Sequence, residues 1–192
     1  MKKIALNLII ILIIFTNSSA EEIKRIIVGN MDAKISIIAF ESLTCSHCAD
    51  FHKEVYPLLK NEYIDTGLAK IEFRHFPLNM AAFNASKVSQ CKNDGESNIL
   101  NSLFLNQQKW VKGTTVAESN KNLKTFLNDE GIDVDFEECI NNEKIEDFVL
   151  NDRIDGVKKF KVNATPTIII NNKKFEKSLN YKNLKKALEK LI

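Results

Sequence analysis

The sequence predicts an α/β domain interrupted by an all-helical insert, and three observations carry that prediction. Apolar, β-branched runs lie before Met80 and after Lys161, with no convincing strand between them. The intervening stretch reads as short helices punctuated by Gly95, Gly113 and Gly131. A Cys-x-x-Cys motif, Cys45-Ser46-His47-Cys48, stands where an apolar strand hands over to a helix.

The first twenty residues read as an address. Lys2 and Lys3 form a positive start, Ile4 to Phe15 is apolar except for Asn7, and Ser18-Ser19-Ala20 suits a peptidase. About a dozen apolar residues is short for a membrane span, which needs ~20. A cleaved signal over 1–20 is expected, with an uncleaved anchor as the alternative. The cut site lacks a cysteine, so no lipid anchor is expected there. Without Lys2 and Lys3 the basic residues fall from 27 to 25, equal to the 25 acidic ones. A formally neutral chain speaks against a nucleic-acid binder. About 170 residues then suffice for one well-cored domain.

In chain order, Arg25 to Val28 is a short strand ended by Gly29-Asn30, and Ile35 to Phe40 is a strand apolar enough to be buried on both faces. Ser46 to Tyr63 carries Phe51, Val55, Leu58, Leu59 and Tyr63 at helical spacing, and Pro57 is expected to kink or break it. Leu68 to Phe73 alternates as a strand after Asp65-Thr66-Gly67. Helices are expected over Ala81–Cys91, Glu96–Lys109, Glu118–Asn128, Phe136–Ile140 and Lys144–Phe160. Strands return at Thr167 to Ile170, and Asn171-Asn172 turns into Lys173 to Glu176. Tyr181 to Leu191 closes the chain as an amphipathic helix. The expected division is 21–79, a helical insert at 80–161, and 162–192.

The chemistry centres on Cys45 and Cys48. At a helix start, unpaired N–H groups and the macrodipole favour a thiolate. Cys45 takes the exposed end as nucleophile, and Cys48, one turn in, is the resolving thiol. His47, as a cation or hydrogen-bond donor, and Ser46, as a further donor, would tune the Cys45 thiolate. A more stable thiolate makes a stronger oxidant. Two other readings stand beside this one. Cys-x-x-Cys can be half a zinc site, with His52 as a mixed ligand, but the chain has no second Cys-x-x-Cys. A structural disulfide closing so short a loop would restrict the unfolded chain little. Thr165-Pro166 enters a buried strand, where proline cannot donate to the ladder. Both a cis bond placing Thr165 beside the dithiol and an ordinary strand-start proline fit the local sequence.

The runs FESLTCSHC, FRHFPLN and NATPTIIINN, with the helical segment between the last two, resemble the exported thiol:disulfide oxidoreductases of the DsbA-like group. The resemblance covers nearly all of the chain after residue 20, and Leu43 through Asn79 looks especially like the alphaproteobacterial branch. It implies a thioredoxin fold with an inserted all-helical domain, Cys45 and Cys48 as the active pair, Pro166 as a cis-proline, and no cofactor or metal. It further implies a periplasmic monomer acting on reduced, cysteine-containing exported proteins and reoxidised by a membrane quinone reductase of the DsbB type. Two departures stand out. Relatives often bury a carboxylate six residues before the first cysteine, where this chain has Ala39. Strand alternation puts Glu41 on the same side, which makes it a candidate substitute. Thr165 replaces the valine of the best-known oxidase, and threonine is often seen there in isomerases and reductases.

Cys91 and Cys139, 48 positions apart in the insert, are expected to pair in an exported chain. Closing such a loop contributes roughly 4 kcal/mol in the chain-entropy model. A redox-regulatory role and two free thiols are the alternatives. His52 and His75 read as packing or surface residues, and Trp110 as packing within the insert. The leading function is introduction of disulfides into newly translocated proteins. An isomerase or reductase of the same fold and a redox-independent holdase are the competing readings.

Overall fold

A computed structural model describes residues 22–192. The expected signal at 1–20 lies outside the described residues. Five strands form one mixed sheet: β1 (Ile26–Gly29), β2 (Ile35–Glu41), β3 (Ala69–His75), β4 (Thr167–Ile170) and β5 (Lys173–Lys174). Their order is β1-β3-β2-β4-β5. β2 and β3 run parallel, and the other neighbours are antiparallel. β2 is central, which explains its nearly unbroken apolar run. Ile35, Ile37 and Ala39 enter the main core, while Ile38 and Phe40 pack with Phe76, Val162 and Ile169 on the opposite face. β5 keeps only two residues of the four expected. Asn171 and Asn172 make its hairpin with positive φ, and Asn171 Oδ1 accepts from Ser36 N at 2.8 Å.

Of the kink or break expected at Pro57 there is no break: the helix after Cys45 is continuous, but it leaves α-helical geometry just before the proline. α1 (Ser46–Asp50) runs into a π-helical turn (Phe51–Val55), then α2 (Tyr56–Leu59), then a second π-helical turn (Lys60–Ile64). Pro57 sits in the first turn of α2, where no intrahelical donor is needed, and the wide turn before it absorbs the extra residue. The wider turns also rotate the buried face. Phe51 with His52, Val55 with Tyr56, and Tyr63 with Ile64 point inward as neighbours, while Leu58, expected inside, is 46% exposed.

Between β3 and β4 the chain is helical throughout: α3 (Met80–Gln90), α4 (Asn98–Leu105), α5 (Gln107–Trp110), α6 (Val116–Asp129), α7 (Phe136–Asn141) and α8 (Glu143–Phe160). The single helix expected over 96–109 divides at Asn106, whose φ of −112° and ψ of 23° leave helical space. Thr115 and Glu118 form a reciprocal cap for α6. Leu103, Phe104, Trp110, Leu123, Phe126 and Leu127 of the insert join the main core. Cys91, at the end of α3, is bonded to Cys139 of α7, with Cα atoms 5.4 Å apart. Long α8 returns across the second face of the sheet. A Cβ on Gly156 would lie 2.9 Å from a Phe40 ring carbon, so glycine permits the approach. α9 (Tyr181–Leu188) buries Leu184 and Leu188 beside α2. Among the described residues no helix is long and apolar enough to cross a membrane.

Candidate active site

β2 ends at Glu41, and the chain turns through Ser42–Thr44 to deliver Cys45 as the N-terminal cap of α1. Its backbone is extended, with φ −86° and ψ 119°, so the N–H groups of the first turn point back toward its side chain. Five hydrogen bonds fix this turn: Cys45 N donates to Ser42 O at 3.0 Å, Leu78 N to Ser42 Oγ at 3.3 Å, and Asn79 Nδ2 to Thr44 Oγ1 at 3.1 Å, while Gln107 Nε2 donates to Leu43 O at 2.8 Å and to Cys45 O at 3.0 Å. Gln107 belongs to the insert and had no signature in the sequence, since its two acceptors are backbone carbonyls more than sixty residues away.

The two sulfurs are present as thiols and differ sharply. Cys45 is half-exposed and Cys48 fully buried. The hydrogen bond from the Cys48 thiol holds Cys45 down at about 5; Thr165 and the N–H groups of Cys48 and His47 add to this against the opposing effect of burial. Burial pushes Cys48 far up, the hydrogen bond it gives Cys45 adds to this, and the Glu41 charge pushes the same way. One sulfur is therefore an accessible thiolate at neutral pH and the other a shielded thiol. His47 contributes through its backbone. Its imidazole is 82% exposed and lies 3.7 Å from Asp50 rather than over Cys45. Ser46 is exposed beside it.

Thr165 and Pro166 come from the far end of the sequence to the same place. The Thr165–Pro166 bond is cis. Cys45 Sγ lies 3.4 Å from the Thr165 carbonyl oxygen, and the buried Thr165 hydroxyl has no hydrogen-bond partner. Together with His47, Asp50, Phe51, Glu54, Val55 and Leu179 these two residues line a groove of about 400 Å³.

His52 and His75 are not surface residues. His52 is buried, with Nε2 2.9 Å from Glu41 Oε2 and Nδ1 3.0 Å from Asn101 Oδ1. Both ring nitrogens are engaged, which displaces the mixed zinc reading. Glu41 does lie on the Ala39 face, as alternation requires. Burial raises its carboxyl above the usual range, with the neighbouring His52 opposing. His75 is held 3.2 Å from Gln90 Oε1, and its backbone N–H donates to Asp152, away from the sulfurs.

A family model described as Thioredoxin matches residues 21–190, and the chain belongs to that family. Its sequence is 29% identical over 170 residues to a Rickettsia bellii protein provisionally named a protein-disulfide oxidoreductase, covering 86% of this chain and 64% of that one. It is 25% identical to disulfide bond formation protein D of Bacillus subtilis, covering 85% and 75% respectively. This chain thus spans under two thirds of the rickettsial relative. Among solved structures it is similar to Wolbachia pipientis alpha-DsbA1, with a TM-score of 0.76 and 30% identity over 87% of this chain and 90% of that one. BdbD of Bacillus subtilis, at 22% identity and a TM-score of 0.68 over 87% and 92%, shares the fold. The neighbours are DsbA proteins, and the chain has their thioredoxin-like fold with an inserted helical domain.

Proposed function

We propose that this protein is an exported dithiol oxidase that introduces disulfides into newly translocated proteins through Cys45 and Cys48. The observation that carries the reading is the asymmetry of the two sulfurs. A thiolate stabilised at Cys45 lowers the free energy of the reduced form, so the oxidised form readily accepts two electrons. A substrate thiolate attacks Cys45 Sγ, the Cys45–Cys48 bond breaks, and Cys48 leaves with the electron pair and gains a proton. A second substrate thiolate attacks the substrate sulfur of the mixed disulfide. It releases oxidised substrate and the Cys45 thiolate. The groove with Thr165 and Pro166 receives the substrate backbone, and Ser46 and His47 present the N–H groups of the first turn. Cys91–Cys139 is read as a structural brace. A DsbB-type quinone reductase would reoxidise the pair after export by a cleaved signal over 1–20.

Equilibration of the Cys45/Cys48 couple with glutathione tests this, on the native protein and on a Cys91→Ser/Cys139→Ser variant. Oxidising and reducing members of the superfamily differ by about 150 mV, roughly 7 kcal/mol. A couple at the oxidising end is expected in both proteins. A value at the thioredoxin end would replace the oxidase by the reductase or isomerase reading, which Thr165 before the proline favours.

A further inference from the structure

The groove beside Cys45 is charged on one wall only. That wall is His47, Asp50, Phe51, Glu54 and Val55, spaced three or four apart so that they share one face of the helix. Phe51 and Val55 are buried at its base, while Asp50 and Glu54 stand exposed at its rim. The facing wall is Thr165, Pro166 and the half-buried Leu179, which bring no charge. Lys53 lies between the two carboxylates in sequence but does not line the groove. Among the described residues no lysine or arginine forms an ion pair with Asp50 or Glu54, and Asp50 meets only the His47 ring, at 3.7 Å. After residue 20 the chain has 25 basic and 25 acidic residues, so this negative charge is local to the groove.

A separate feature marks the groove as a seat for another chain. The Thr165 carbonyl lies 3.4 Å from Cys45 Sγ, and the Thr165 hydroxyl is buried without a hydrogen-bond partner. Buried hydroxyls are normally bonded, so an incoming backbone group suits this wall. At 1.5 Å per residue along a helix, Asp50 stands about 7 Å and Glu54 about 13 Å from the Cys45 end. An extended segment advances about 3.3 Å per residue, so the carboxylates fall roughly two and four residues from a substrate cysteine bonded to Cys45. Residues two and four apart in such a segment also share one side. A substrate thiolate approaching Cys45 is repelled by both carboxylates, and a cation in its own segment offsets this. The stem of a lysine or arginine fits over Val55 and Leu179 while its head reaches the rim.

We infer that Asp50 and Glu54 make the groove selective for substrate segments that carry lysine or arginine two to four residues from the reactive cysteine. This rests on reading the groove as the substrate site of the Cys45–Cys48 pair. The exchange itself is unchanged: the substrate thiolate bonds to Cys45 Sγ, the Cys45–Cys48 bond breaks, and Cys48 leaves with the electron pair. The two carboxylates take no proton and no electron in it. They act on the encounter and on the mixed disulfide, where the segment lies along the groove, and they turn away segments with aspartate or glutamate at the same positions.

The experiment follows oxidation of dithiol peptides that differ only in carrying arginine, glutamine or glutamate two and four residues from the attacking cysteine, on either side of it. Each kcat/KM is divided by the peptide's rate with uncharged hydroxyethyl disulfide, because a flanking cation also acidifies the peptide's own thiol. For the native protein the arginine peptide should exceed the glutamate peptide by about ten-fold at about 0.01 M salt. The excess should vanish by about 1 M salt, where screening acts within ~3 Å. Asp50→Asn/Glu54→Gln should bring the ratio near one, and Asp50→Lys/Glu54→Lys should invert it. A native ratio near one, or one that survives high salt, would overturn the proposal. So would variants that are slower with the ratio intact, which mark a structural role. If the doubly reversed variant does not fold, Glu54→Lys alone must still move the ratio toward the glutamate peptide, and an unmoved ratio overturns the proposal equally. The same ratio is read backwards, as reduction of the peptide disulfides by the reduced protein. Selection in that direction without oxidation removes the oxidase reading and keeps the selectivity, whereas oxidation of all the peptides at equal rates does the reverse.

Discussion

Two pairs of cysteines share this chain, and they behave as different chemical species. Cys91 and Cys139 are joined across 48 residues between two helices of the insert, and Cys139 is fully buried. Cys45 and Cys48 have two residues between them and are unbonded and surrounded by hydrogen-bond donors at a helix start. The first pair has no thiol to ionise and restrains a long loop. The second restrains almost nothing and has one thiol held near pH 5. Reactivity is thus conferred by the placement of each sulfur relative to N–H groups, solvent and the Glu41 carboxylate, and the residue type decides little.

The largest effect separates the pairs outright. Cys45→Ser should reduce dithiol-peptide oxidation to the uncatalysed background, while Cys91→Ser/Cys139→Ser should retain it. If the second variant were equally inactive, the brace would belong to the reaction. The same double variant should lose about 4 kcal/mol of stability, the chain-entropy value for a loop of this length, measured by urea unfolding of the otherwise native protein. A loss below about 1 kcal/mol would mean that the insert holds itself together without the bond.

A smaller and more diagnostic effect concerns pH. The Cys45 thiol is lowered in the folded, reduced protein to about 5, from an ordinary value of 9.0. Between these values the unfolded chain binds a proton that the folded one does not, so stability must rise with pH. The reduced protein should therefore gain stability from about pH 5 to about pH 9, hold this contribution fully above the unfolded value, and lose it as pH falls through about 5. The oxidised protein has no thiol to titrate and should lack this rise. Parallel denaturation curves of the two forms would check it, and identical slopes would contradict the acidic Cys45. The smallest expected effect is at Gln107→Ala, which frees two carbonyls of the reactive turn and should cost about 1–2 kcal/mol. It should also slow peptide oxidation without affecting the Cys91–Cys139 bond, read by thiol counting.

Much of this was legible in the chain. The alternation along Ile35–Glu41 put Glu41 on the Ala39 face, the Cys-x-x-Cys after that strand located the dithiol, and the Asn171-Asn172 turn set β4 against β5. These signals are local, because strand period, helix start and turn chemistry depend on neighbours in sequence. Pro57 does not break its helix because the break assumes an α-helical turn before it, and the π-helical turn removes the conflict. His47 misled because an exposed imidazole is steered by Asp50 and solvent as readily as by a sulfur.

What the tertiary structure alone decided is the company each reactive group keeps. Glu41 meets His52 eleven residues on, His52 meets Asn101 forty-nine residues on, and Cys45 meets Thr165 after 120. Hydrogen bonds to side chains carry no periodic signature, and a buried polar group takes whichever partner the packed core brings within reach. The sequence determined by itself that two sulfurs would sit at the start of a helix after a central strand. Only the packing of the Thr165–Pro166 segment and of Gln107 from the insert around that helix start decided which groups stand beside them.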